Sequence, residues 1–137
     1  MHVKTAAFDF EVGFDYGKFG AIGAMLADYA FDKYKSEKAT RVDEITFANV
    51  SEESVRAGKA FGNAMKFTRD LANEPAAYAT PTKLAEIAQS LDGIETRVFE
   101  KPEIEEMKMG AFLAVGQGSV QPPKFIHMKY TCENPKK

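Results

Sequence analysis

The sequence predicts an α/β protein, a mixed sheet with flanking helices, whose elements follow the order β-α-β-α-α-β-α-β-β. Three observations carry that expectation. Short segments rich in Val, Ile and Phe alternate with longer stretches whose apolar residues recur at helical spacing. Proline and glycine mark the joints between them, at Pro75, Pro81, Gly93 and Pro102. The composition, 45% hydrophobic and 28% charged over 137 residues, is that of a globular domain with enough chain to bury a core without disulfides.

Val3 to Val12 interleaves Phe, Val and Ala with Asp9 and Glu11, the pattern of a strand with one wetter face. Phe19, Ile22, Leu26 and Ala30 then fall at helical spacing, which predicts a helix from Gly17 to Lys35 on which Gly20 and Gly23 leave room for a close neighbour. Val42 to Phe47 is short and β-rich. Ser51 follows as an N-cap, with Glu52 and Glu53 in the first turn where the helix dipole favours carboxylates. Ala57, Ala60, Phe61, Ala64, Thr68 and Leu71 trace one face of this second helix, and Asn73-Glu74-Pro75 stops it.

Thr80-Pro81 pairs a capping hydroxyl with a proline at the first helical position, and Leu84, Ile87, Ala88 and Leu91 continue the period until Asp92-Gly93. Ile94 to Phe99 reads as a strand and Pro102 to Lys108 as a short acidic helix. Ala111 to Val115 reads as a fully apolar strand. Phe125 to Tyr130 alternates Ile126, Met128 and Tyr130 against His127 and Lys129, a final strand. From Cys132 to Lys137 the chain is polar and aperiodic, as in a loop cut in the middle.

A net charge of -2 gives no general attraction to a polyanion, so neither nucleic acid nor an anionic membrane is an expected partner. One cysteine, Cys132, excludes an intrachain disulfide and suits a reducing compartment, and Met1-His2-Val3-Lys4 carries no signal-peptide core; the expectation is a cytoplasmic protein. Eleven Phe and no Trp make the large aromatic surface mostly apolar.

Isolated residues that could carry chemistry have blander readings. Glu103, Glu105 and Glu106 are the densest carboxylates, but without His or Cys beside them they read as a solvated helix face. His127 shares no ligand spacing with His2, the other histidine. Cys132 has no base or orienting group near it in sequence. Gly116-Gln117-Gly118-Ser119 could wrap an anion, yet Pro122 and Pro123 follow where a helix N-terminus is needed, so it reads as a tight turn between strands. Arg69 and Asp70 read as interdomain contacts.

Several blocks together resemble the leucyl aminopeptidase (cytosol aminopeptidase) family. Gly20 to Lys35 is similar to a late helix of that family's N-terminal domain; Arg69-Asp70-Leu71-Ala72-Asn73-Glu74-Pro75 is similar to the end of its connecting helix. Thr80-Pro81, Met109-Gly110 through Gly116-Gln117-Gly118, and Pro122-Pro123-Lys124 are similar to the opening of its catalytic domain. Ala77 departs from the family, which usually has Asn there and a turn hydrogen bond from it.

The resemblance implies residues 1-50 as the C-terminal part of an N-terminal α/β domain, 51-75 as a connecting helix and 76-137 as the beginning of a metallopeptidase domain, a fold incomplete relative to the two-domain family. It also implies a hydrolase that releases N-terminal residues from peptides with two divalent ions, Zn or Mn, and assembles into oligomers. The family's lysine-glycine, Asp-Gly-Gly and Asn-Thr-Asp-Ala-Glu-Gly-Arg motifs have no counterpart here; Val115-Gly116-Gln117-Gly118 is only superficially like the first. No metal ligand or catalytic residue is therefore carried over, and the chain is expected to bind no cofactor and to be inactive alone. Its expected partners are a second copy or the remainder of an aminopeptidase, with a peptide substrate only in the whole enzyme. The alternative is a non-catalytic module that self-associates or binds a partner.

Overall fold

The computed structural model describes residues 4–11 and 13–132. Val3 and Val12, His2, and the tail from Glu133 to Lys137 lie outside the described residues. The elements are β1 (Thr5–Asp9), α1 (Gly17–Ala27), β2 (Glu44–Ala48), α2 (Glu52–Asn73), α3 (Pro81–Gln89), β3 (Ile94–Phe99), α4 (Lys101–Glu106), α5 (Gly110–Gly116) and β4 (Phe125–Tyr130). The α/β class stands, with two differences. The eighth element is a helix, and the described strands form two two-stranded sheets in place of one mixed sheet.

The chain divides into two compact units, Met1–Asn73 and Glu74–Lys137. In the first, β1 and β2 pair in parallel with Phe8 opposite Phe47, and α1 makes the crossover between them. The rings of Phe8 and Phe10 both stack on Phe47. Ser51 caps α2 as expected, its hydroxyl oxygen accepting from the Ser54 amide at 3.1 Å. The same hydroxyl donates to Asp15 Oδ2, the chief reason that carboxyl lies below its usual range.

The face of α2 that packs on α1 is not the one its apolar side chains suggest. Gly58 and Gly62 are its buried residues, whereas Phe61 is 53% exposed. A Cβ on Gly58 would lie 2.7 Å from Ala21 Cβ and would strike the Lys18 carbonyl; one on Gly62 would lie 2.6 Å from Met25 Sδ. The two backbones therefore meet along a seam of missing side chains, which a count of hydrophobic positions does not register. Of the α1 glycines, Gly20 lies where a Cβ would be 2.8 Å from the Phe10 ring, while Gly23 faces open space.

Helix α1 ends at Ala27, eight residues before the expected Lys35. Its following segment is taken over by side chains. Arg41 donates to the carbonyls of Asp28 and Ala30, Asp28 Oδ1 accepts from the Val42 amide at 3.0 Å, and Asp32 Oδ2 accepts from the Ala39 amide at 2.8 Å. These bonds use up backbone groups that a continuing helix would need. The Ala39 amide, seconded by Arg41 and Lys38, holds the Asp32 carboxyl below its usual range.

In the second unit β3 and β4 are antiparallel, with Phe99 opposite Phe125 and Ile94 opposite Tyr130. Thr80 caps α3, its Oγ1 accepting from the Lys83 amide at 3.2 Å, with Pro81 just inside. The helix stops at Gln89. Gly93, at φ +73°, instead serves the turn that aims the chain into β3. Ala85 and Ala88 are buried on α3, and the Thr96 hydroxyl donates to the Ala88 carbonyl at 3.1 Å, tying helix to strand. Ile104 of α4 is wholly buried, the largest such side chain among the described residues.

Residues 111–115 were expected as a strand and are the middle of α5. A short apolar run carries no period that separates strand from helix, and Ala, Phe, Leu and Ala before the lone β-branched Val115 tip the balance. The Leu113 amide donates to the Met109 carbonyl at 3.1 Å, the opening helical bond. Gly116-Gln117-Gly118-Ser119 consequently follows a helix rather than joining two strands, and the Ser119 amide closes its turn on the Gly116 carbonyl at 3.1 Å.

Candidate functional site

The family-like residues occupy two places in the chain. Arg69 lies just before the last turn of α2, and Asp70 and Asn73 lie within it. The Tyr29 hydroxyl donates to Asp70 Oδ1 at 2.8 Å and accepts from Asn73 Nδ2 at 3.1 Å, while the Arg69 guanidinium lies 5.4 Å from the centre of the Tyr29 ring. Arg69 and Asp70 thus engage a residue of their own unit. The phenol is held above its ordinary range chiefly by burial, with Asp70 adding to it and Asn73 and Arg69 opposing.

Glu74 and Pro75 then open a turn with its own backbone bonds. The Pro75 carbonyl accepts from the Tyr78 and Ala79 amides at 2.8 and 2.9 Å, so Ala77 needs no side-chain bond. Thr80 and Pro81 start α3 as described. Met109, half-buried, is the N-cap residue of α5, Gly110 its first residue and Gly116 its last, with Gly118 in the turn beyond.

Beside α5 is a groove of about 270 Å³ lined by Pro81, Phe112, Val115, Gly116, Pro123 and Lys124 among others. Its lining is mainly carbon. Phe112 meets Phe125 edge-on at 5.9 Å, and Phe125 lies 5.4 Å from Phe99. No residue of α5 is buried, and Val115 is 88% exposed. Lys124 does not present its charge to the groove as a free cation, since its Nζ pairs with Glu100 Oε1.

A pair of divalent ions would need several converging carboxylates or imidazoles. Among the described residues no group of three or more His, Cys, Asp or Glu could hold a metal ion. The acidic helix is committed elsewhere: Glu103 accepts from the Glu100 amide at 2.9 Å and pairs with Arg97 at 3.4 Å, and Glu105 pairs with Lys101 at 3.8 Å. His127 and Cys132 are exposed, with Arg97 opposite His127 in the strand register. These residues do not fit a two-metal centre.

The family model for the catalytic domain of the cytosol aminopeptidase family matches residues 66–137, more than half of the sequence. The chain belongs to the cytosol aminopeptidase family. The "probable cytosol aminopeptidase" of Persephonella marina is 46% identical over 125 residues, covering 84% of this chain and 25% of that protein. The corresponding protein of Aquifex aeolicus is 42% identical over 114 residues, covering 79% of this chain and 23% of its own length. A solved structure described as the bottromycin maturation enzyme BotP in complex with Mn superposes with a TM-score of 0.84 at 28% identity, over 96% of this chain and 30% of that one. The chain thus spans about a quarter of the length of the curated relatives it matches. No described helix is long and apolar enough to cross a membrane.

Two features escaped the sequence reading. The Gly58-x-x-x-Gly62 spacing was a usable sign of close helix approach, since small residues four apart share one helix face. Tyr29 gave no comparable sign, because its partners are 41 and 44 residues away.

Proposed function

We propose that these 137 residues are the joint and opening layer of a two-metal aminopeptidase, and that they do not hydrolyse peptides by themselves. The observation that carries this reading is the extent of the match: most of this chain against about a quarter of each relative. In this reading residues 1–50 close an N-terminal domain, 51–75 connect, and 76–137 begin the metallopeptidase domain. Arg69, Asp70, Asn73, Glu74 and Pro75, Thr80 and Pro81, and Met109, Gly110, Gly116 and Gly118 then serve as framework, with the metal ligands supplied by sequence of the kind found elsewhere in the relatives.

Zn or Mn, the peptide substrate and the oligomer belong to such a whole enzyme, acting in the cytoplasm. The remainder of the aminopeptidase is this segment's natural partner. Purified chain given Mn or Zn and leucine p-nitroanilide should show no turnover above the metal-only blank; turnover that survives repurification overturns the reading.

A second reading, a non-catalytic self-associating or partner-binding module, is favoured by the uncovered side chains of α5 and by Met128 and Tyr130 exposed on β4. Sedimentation and dye binding separate the two: a reversible dimer or higher species at micromolar concentration supports it, and a monomer throughout that also binds no hydrophobic dye argues against it.

A further inference from the structure

The last turn of a helix has carbonyls without partners, and such turns fray unless something holds them. The end of α2 carries no basic residue in its last turn to answer the helix dipole. Pro75 follows two residues after Asn73, so the chain cannot continue the helix there. Yet α2 remains wound through Asn73.

We infer that Tyr29 is a latch that keeps the last turn of α2 wound, gripping it through Asp70 and Asn73 while its ring carries the Arg69 guanidinium. Residues 69, 70 and 73 are spaced so that one side chain lying across the final turn reaches all of them. Tyr29 donates to a carboxylate and accepts from an amide, so its single hydroxyl is satisfied in both senses at once. Phenylalanine would keep the ring but neither bond.

The latch is itself pinned. Arg41 grips the carbonyls of Asp28 and Ala30, the residues on either side of Tyr29, and Asp28 accepts from the Val42 amide. A segment that would otherwise be a loose helix exit is thus held from one side by Arg41 and holds α2 from the other. The residues it grips fall inside the span matched by the catalytic-domain family model, whereas Tyr29 falls outside it. Tyr29 is accordingly a positioning residue for the place where that span begins, and has no catalytic part.

Amide hydrogen exchange on the purified 137-residue chain tests this. Tyr29→Phe should accelerate exchange of the Asp70 to Asn73 amides about tenfold, the scale of a lost hydrogen bond to a charged group, and leave the amides from Val55 to Lys66 unchanged. Asp70→Ala should do the same. The double variant should be no worse than Tyr29→Phe alone, because that change already removes the bond to Asp70 together with the one to Asn73. Unchanged exchange at 70–73 in Tyr29→Phe, a uniform acceleration across the whole first unit, or effects that multiply in the double variant would each overturn the proposal.

Discussion

The first unit is held together where side chains are missing, and the second where one is completely enclosed. Helices α1 and α2 meet at Gly58 and Gly62, where an added carbon would strike the Lys18 carbonyl and the Met25 side chain respectively, while α4 depends on Ile104, which loses all contact with water. Close backbone approach makes a seam intolerant of enlargement. An enclosed side chain makes a site intolerant of shrinkage. Substitutions of opposite kinds should therefore damage the two units selectively.

The largest expected effect is in the second unit. Ile104→Ala should cost about 3 to 4 kcal/mol, the transfer of the lost carbons plus the cavity left behind, and should lower the melting of signals from residues 81–130. Gly58→Ala should cost the first unit about 1 to 2 kcal/mol by overpacking. Its sign is the informative part, because in a helix with room to spare the same change would stabilise by about 1 kcal/mol. A higher melting temperature for Gly58→Ala would break the comparison.

Thr80→Ala removes the cap of α3 and should cost about 1 kcal/mol, measured by denaturant midpoint at an unchanged slope. Acid should loosen the first unit through Asp15 and Asp32. Both carboxyls have folded values below their ordinary ones, so their contribution is complete above the ordinary aspartate range and disappears as pH falls through the depressed folded values. A titration of nuclear resonances from Gly17, Ser51 and Ala39 should show it. Val115→Lys, on the exposed side of α5, should change stability by less than about 0.5 kcal/mol, and thermal melting of the variant checks it.

Local chemistry was the legible part of this fold. Ser51 and Thr80 declare helix starts because their capping bonds are made within three residues, Pro81 because its fixed φ suits the first helical position, and the strand spans Ile94–Phe99 and Phe125–Tyr130 emerge at the expected positions. What the sequence hid was decided at a distance. The end of α1 depends on Arg41 and Val42, more than a dozen residues downstream of Asp28. The α2 seam is built from glycines, which carry no hydrophobic signal, and α5 is an apolar run too short to declare its period. The family was legible because its blocks are themselves local: the Asn73-Glu74-Pro75 stop and the Thr80-Pro81 start survive in a segment that shows no metal-ligand group among its described residues.

Arg41 makes one position in the first unit unusually literal about its chemistry. Its guanidinium reaches two carbonyls and the Asp32 carboxylate, which lies 3.5 Å away. Lysine has the same charge but presents it as a compact ammonium on a flexible stem, with no planar fork to span three oxygens in different directions. Exchanging the two would preserve the net charge of the protein and still let the segment from Asp28 to Asp32 come loose. In that segment the shape of the cation, more than its sign, is what the fold reads.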